Sequence, residues 1–142
     1  MSKRILTLFS RLHAVLYRVS GGRLGGHFAK GAPVLLLTTT GRTSGKRRTT
    51  PLLYVEDAGR YVIIASVGGA PRHPAWYLNL QADPAASIQI GKRTIAVTAT
   101  TAPPEERARL WGLATTMYAG YDGYQAKTER EIPVVILAPA SA

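Results

Sequence analysis

Three tyrosines, Tyr118, Tyr121 and Tyr124, recur at every third position in the stretch from Met117 to Gln125. On a helix or helical turn that spacing puts three phenols on one face. Such a face can cover a flat ring or an apolar substrate and still offer hydroxyl donors. The same residues serve equally well as core, with the rings buried and the hydroxyls at the surface. Gly120 and Gly123 interrupt the segment and weaken a rigid helix, which suits a mobile lid better than a core. A second set of groups lies between Val34 and Tyr54. There Arg42, Thr43, Ser44, Lys46, Arg47 and Arg48 crowd around Gly41 and Gly45. Hydroxyls, backbone N–H groups and guanidinium forks in one small volume hold a phosphate or a carboxylate. A basic hairpin tip left in solvent is the equal alternative for this loop taken alone.

Other chemistries find no support in the chain. His13, His27 and His73 lie in separate segments without metal-ligand spacing, and no metal site is expected. The chain has no cysteine, so a thiolate nucleophile and a disulfide framework are excluded. No phosphate-binding loop of the nucleotide-hydrolase type is present, and no Gly-x-Gly-x-x-Gly opens a helix. The acids are scattered, and no serine has a convincing base. An enzyme built from these residues would take its reactive centre from a bound organic cofactor.

The elements that must position these groups follow from the patterning. At 142 residues the chain can bury one core without staples. Residues 1–20 have helical spacing, with Ile5, Phe9, Leu12 and Leu16 on one face and Arg4, Arg11 and Arg18 in a cationic stripe. That helix either packs on the domain or lies in a membrane interface. Residues 21–32 are a glycine-rich connector, and the domain proper begins at residue 33 and runs to 142. The apolar run Val34–Leu37 and the run Pro51–Val55 read as arms of a hairpin. Further strands are expected at Tyr61–Ser66, Ala85–Ile90, Thr94–Thr100 and Ile132–Leu137. Val67-Gly-Gly-Ala-Pro71 lets backbone approach a ligand closely. Short helices are expected from Pro74 to Leu80 and from Pro103 to Met117. Mainly β with α, in the α+β class, the sequence predicts a small antiparallel barrel with helices outside it.

Charge divides the chain. Residues 1–55 carry ten cations and no acid, whereas residues 56–142 carry eight of each, so the whole net charge of +10 sits in the first segment. A block of that kind implies a polyanionic neighbour, whether nucleic acid, an anionic membrane or a multiply charged small molecule.

Five motifs in order resemble the deazaflavin-dependent nitroreductase family, flavin/deazaflavin oxidoreductases of split β-barrel, FMN-binding-like fold. They are Leu37-Thr-Thr-Thr-Gly-Arg-Thr-Ser-Gly45 with Arg48 and Thr50-Pro-Leu52, Ala65-Ser66 with Gly68-Gly69, Pro74 with Trp76-Tyr-Leu-Asn79, Met117-Tyr118 with Tyr121 and Tyr124-Gln125, and Ile132-Pro-Val134. The resemblance implies coenzyme F420, a 5-deazaflavin with a phosphodiester and a glutamate tail. It assigns Arg42, Thr43, Ser44 and Arg48 to that anionic tail. Thr50, Pro51, Ala65, Ser66, Val67, Gly68 and Gly69 would meet the ring and phosphate, and Trp76, Tyr77, Asn79 and Tyr121 would line the groove. Ser66, or a phenol from Tyr118, Tyr121 or Tyr124, is the expected catalytic group, positioning or supplying the proton that completes the reduction. Members of the family often carry lysine where this chain has Thr43 and Val67, and some carry an aromatic where it has Leu53.

The expected activity is hydride transfer from reduced F420 to a quinone, an activated enone or a nitroaromatic. A quinone lives in the bilayer, which would give the basic leading helix a purpose on an anionic membrane surface. The expected location is cytoplasmic, either free or, if the leading helix lies in the interface, peripheral on the inner face of the cell membrane. The competing readings are an FMN-dependent reductase or oxidase on the same barrel, a deazaflavin carrier without turnover, and a non-catalytic nucleic-acid binder. The threonine-rich loop and the tyrosine face have no recognition-helix pattern beside them, so nucleic acid is not the expected partner.

Overall fold

A computed structural model describes residues 32–140. The leading helix expected over 1–20 and most of the connector fall outside the described residues. Seven strands form one sheet: β1 (Val34–Thr40), β2 (Arg47–Leu53), β3 (Val55–Asp57), β4 (Arg60–Ile64), β5 (Ala85–Ile90), β6 (Arg93–Thr101) and β7 (Val134–Pro139). Among the described residues the α-helices are α1 (Ala75–Ala82), α2 (Pro104–Met117) and α3 (Gly120–Ala126).

The spatial order is β2-β1-β5-β6-β7-β4-β3, with every neighbouring pair antiparallel. That order forces the sheet to curl. β2 and β3 are its two edges, yet only Tyr54 separates them in sequence. The edges must therefore come together, and no ladder joins them, so the barrel has a seam. Pro51 lies inside β2, opposite Leu36. A proline is tolerated there because β2 is an edge strand that pairs on one side only. The strand also begins earlier than the apolar run did. Arg47 and Arg48 pair with Thr40 and Thr39 and extend the ladder through the cations.

Alternation along the strands sorts most buried residues into two cores, with Val34 and Leu36 in a small third cluster beside Leu53. Leu35, Leu37, Tyr61, Ile63, Ile88, Val97, Val135 and Leu137 form the inner one. Trp76, Tyr77 and Leu80 of α1 join them from one end. Burying each leucine or isoleucine contributes about 1.5–3 kcal/mol. The alternate residues Val62, Ile64, Val134 and Ile136 point outward and are covered by Leu110 and Ala114 of α2 and Tyr121 of α3. Strands β4 and β7 are thus buried on both faces, which is why their sequences read as continuous apolar runs.

Helix α2 starts at Pro104 with Glu105 and Glu106 in its first turn, where carboxylates favour the helix dipole. Its outer side is tied to the β3–β4 turn. Asp57 meets Arg60 at 3.1 Å and Arg109 at 3.0 Å, and Glu106 meets the same two guanidiniums at 3.3 and 3.5 Å. Hydrogen bonds from Arg109 and Arg60 hold the Asp57 carboxyl below its ordinary range.

Candidate active site

The seam opens into a cleft of about 500 Å³. One wall is the β2 edge, with Thr50, Pro51, Leu52 and Leu53. The facing wall is the end of β4 and the turn after it, with Ile64, Ser66, Val67 and Gly68. Pro74 and Trp76 close one end, and Tyr118, Tyr121 and Tyr124 also line the cleft. Three sequence motifs far apart in the chain therefore meet in one apolar slot with a few hydroxyls, the usual make-up of a small-molecule site.

The basic loop continues the β2 wall. Gly41 N–H donates to Lys46 O at 2.8 Å and Gly45 N–H to Gly41 O at 2.8 Å, which closes the turn. Gly45 takes a φ of 70°, a left-handed value that glycine adopts without steric cost. Asn79 fixes the loop from beneath. Its Oδ1 accepts from Arg42 N at 3.1 Å and Arg42 Nη1 at 3.2 Å, while its Nδ2 donates to Thr39 Oγ1 at 3.2 Å. Asn79 is buried and spends its amide on Arg42, so it positions an arginine rather than lining the cleft. Arg47 turns to Thr40 Oγ1 at 3.1 Å. Arg48 shares a strand face with Thr50, two residues and about 7 Å along β2. Thr43 and Ser44 are exposed, and the Ser44 hydroxyl accepts from Lys46 N at 3.1 Å.

The facing wall is irregular. Val67, Gly68 and Gly69 have φ values of 46°, 61° and 85°. For a β-branched residue such as Val67 this is an outlier that costs about 1–3 kcal/mol. Gly69 is needed for a second reason: a Cβ there would sit 2.6 Å from the Tyr124 carbonyl. Ala65 lies in the inner core, and Ser66 is also buried. The turn is held by Arg130, whose Nε donates to Ala70 O at 2.8 Å and whose Nη2 donates to Ser66 O at 2.8 Å.

The tyrosines meet by a different geometry from one continuous helix. Tyr118 is the extended residue that ends α2, while Tyr121 and Tyr124 lie on α3. The chain breaks at extended Tyr118, and Gly120, the first residue of α3, packs closely against the Tyr118 ring. The hydroxyls of Tyr118 and Tyr124 are 2.9 Å apart and hydrogen-bonded. Tyr118 and Tyr121 stack edge to face with centroids 5.1 Å apart. Burial pushes the Tyr121 phenol well above its ordinary pKa, and the hydrogen bond with Tyr118 raises Tyr124. Both stay protonated through the neutral range. Tyr77 faces elsewhere: its hydroxyl meets Thr101 Oγ1 at 3.0 Å, beside a separate hollow of about 230 Å³.

The sequence gives no sign of Arg130, and it assigns no site role to Gln125, which stands in the tyrosine motif, or to the apolar lining from Val34, Leu52 and Ile64. Arg130 had no periodic or motif context of its own. Only its contacts across the fold reveal it.

A curled antiparallel sheet of seven strands with outer helices and a cleft at its seam defines an α+β split-barrel-like protein. The heme storage protein HutZ of Vibrio cholerae shares this fold with a TM-score of 0.61 over 77% of this chain and 82% of that one, at 15% identity. Closer likeness identifies the family. The solved structure of an F420-H2 dependent reductase, FDR-A, is 47% identical with a TM-score of 0.69, covering 74% of this chain and 93% of that chain. The F420H(2)-dependent quinone reductase Rv1261c of Mycobacterium tuberculosis is 44% identical over 130 residues, 89% of this chain and 87% of its own length. The family model described as F420H(2)-dependent quinone reductase matches residues 9–139. The chain belongs to the F420H(2)-dependent quinone reductase family. Membership makes it a reductase with coenzyme F420 as cofactor and a quinone-type acceptor.

Proposed function

We propose that the seam holds the deazaflavin ring and that the loop from Arg42 to Arg48 holds its anionic tail. The observation that carries this reading is continuity: the strand that lines the apolar cleft from Thr50 to Leu53 begins at Arg47 and Arg48, at the end of the cationic loop. A flat ring fits apolar and aromatic walls, and a phosphate fits guanidinium forks with hydroxyls beside them. Arg42 and Arg48 supply the forks, and Thr43 and Ser44 lie exposed between them. Thr50 and Pro51 offer one wall. Ser66, Val67, Gly68 and Gly69 offer the other, with the Ala65 carbonyl supporting them from behind. Trp76 closes the end, while Tyr77 and Asn79 act by holding neighbours.

Bound there, reduced F420 supplies a hydride from the ring carbon that replaces N5 of a flavin. The chain supplies position and a dry surface. Pro51, Leu52, Leu53 and Trp76 exclude water from the reacting faces. Ser66 and the Tyr118–Tyr124 pair can orient the acceptor's oxygens by hydrogen bonds. After hydride transfer the quinone needs one proton to become the quinol, and that proton comes from solvent through the cleft mouth, because buried Tyr121 and hydrogen-bonded Tyr124 are poor acids at neutral pH.

Enones and nitroaromatics would fit the same open cleft as secondary acceptors. The basic segment 1–20 supports peripheral contact with an anionic membrane, where quinones reside. Among the described residues no helix is long and apolar enough to cross a membrane. The test is anaerobic mixing of the protein with reduced F420 and a menaquinone analogue, following the return of oxidised deazaflavin absorbance. Turnover with the quinone that exceeds turnover with nitroaromatics supports the reading. A rate no higher than the protein-free blank contradicts it.

A further inference from the structure

Arg130 lies between α3 and β7, outside both. Its guanidinium is spread over one stretch of backbone. Besides the Ala70 and Ser66 carbonyls at 2.8 Å each, Nη1 donates to Ala65 O at 3.2 Å and meets His73 Nδ1 at 3.1 Å. All four partners lie on residues 65–73, and none is a carboxylate. A rigid planar fork can hold several carbonyls at once, whereas a lysine ammonium is a single point.

The carbonyls held by Arg130 bracket the three left-handed residues Val67, Gly68 and Gly69. A conformation as costly as that of Val67 persists only where its surroundings enforce it. Arg130 is itself anchored. Gln125 Nε2 donates to Arg130 O at 2.8 Å, and Gln125 Oε1 accepts from Ile132 N at 2.9 Å. Gln125 belongs to α3, which also carries Tyr121 and Tyr124. The turn and the tyrosine helix therefore form one hydrogen-bonded unit.

We infer that Arg130 is a positioning residue for the F420-dependent reaction, holding the Ser66–Gly69 turn in its ligand-ready shape through the Ala65, Ser66 and Ala70 carbonyls. The inference rests on the reading that this turn lines the deazaflavin slot. It separates the wall that is formed by strand pairing from a wall that depends on one distant side chain.

The test measures deazaflavin affinity by quenching of tryptophan fluorescence. The proteins are the full chain, Arg130→Met, Arg130→Lys and the double variant Arg130→Met/Val67→Gly, each first checked for cooperative thermal unfolding. Arg130→Met is expected to bind about tenfold more weakly, equivalent to about 1.4 kcal/mol. Arg130→Lys keeps the charge and the stem, is the safer variant for folding, and should lose a similar factor. In turnover, KM for reduced F420 should rise by that factor, with a smaller rise in KM for the quinone through Ser66. Glycine takes a left-handed φ without steric cost, so Val67→Gly should recover about threefold of the affinity lost in Arg130→Met. A role in global stability alone would leave the folded fraction binding normally and would show no such recovery. The inference is overturned by normal affinity in folded Arg130→Lys, by equal rises in both KM values, or by no recovery on adding Val67→Gly. Binding by the unsubstituted chain separates the two levels. If it binds and the variants match it, only the role of Arg130 fails; if it does not bind, the slot assignment fails and takes Arg130 with it.

Discussion

The two walls of the cleft are built by different physics. The β2 wall is a regular strand, paired with β1 from Arg47 opposite Thr40 to Leu53 opposite Val34 and backed by Leu35 and Leu37 of the inner core. The opposite wall has left-handed backbone at three successive residues and is held by side-chain hydrogen bonds from Arg130. A ladder wall draws its stability from many equivalent backbone bonds and from burial, so it tolerates loss of any one polar side chain. A wall pinned by one guanidinium concentrates its shape in a few contacts. Substitutions under the first should therefore change stability, and substitutions around the second should change affinity and turnover.

The largest expected effect tests the regular wall. Leu37 is fully buried and pairs across the ladder with Thr50. Leu37→Ala should cost about 2–5 kcal/mol in urea unfolding. Deazaflavin affinity of the folded fraction should hold, and an affinity loss would break the distinction between the walls. Gly69→Ala comes next. The positive φ and the Tyr124 carbonyl 2.6 Å from a built Cβ leave no room for the methyl group. It should cost about 1–3 kcal/mol and weaken cofactor binding as well. A stability loss with intact binding would mean that the turn does not shape the slot. Tyr118→Phe removes the 2.9 Å bond to Tyr124 and should lower quinone turnover about fivefold, on the order of 1 kcal/mol.

The smallest effect concerns pH. Burial, and then the Arg130 charge, hold the His73 imidazole below its ordinary pKa of 6.5. The stabilisation from its neutral form is complete above 6.5 and is lost as pH falls through the depressed value. The urea midpoint should fall slightly more in the parent than in His73→Gln between about pH 7.5 and about pH 5. Identical profiles would remove His73 from the pinned wall.

Much of the regular half was legible in the sequence because its signals are local. Val34–Leu37, Ala85–Ile90 and the closing apolar run each declared a strand by composition, and Pro103-Pro104-Glu-Glu declared a helix start. The Gly-rich basic loop and the spaced tyrosines pointed to a site, and the resemblance they support led to the cofactor. What escaped was set by long-range packing. The cations Arg47 and Arg48 entered β2 because β1 offered a partner, which no local propensity announces. Asn79 and Tyr77 share one short helix, yet one braces Arg42 and the other faces a different hollow. Arg130 reaches carbonyls roughly half the chain away, so nothing near it in sequence marks its role.

The most direct test of the central claim is a fluorescence titration of the full chain with oxidised F420, run beside FMN and beside Arg42→Ala and Arg48→Ala. The account predicts saturable binding of the deazaflavin, little binding of FMN, and about tenfold weaker F420 binding in each arginine variant, on the order of one charge-assisted hydrogen bond to the anionic tail. Preference for FMN, or F420 binding that is indifferent to both arginines, would contradict it.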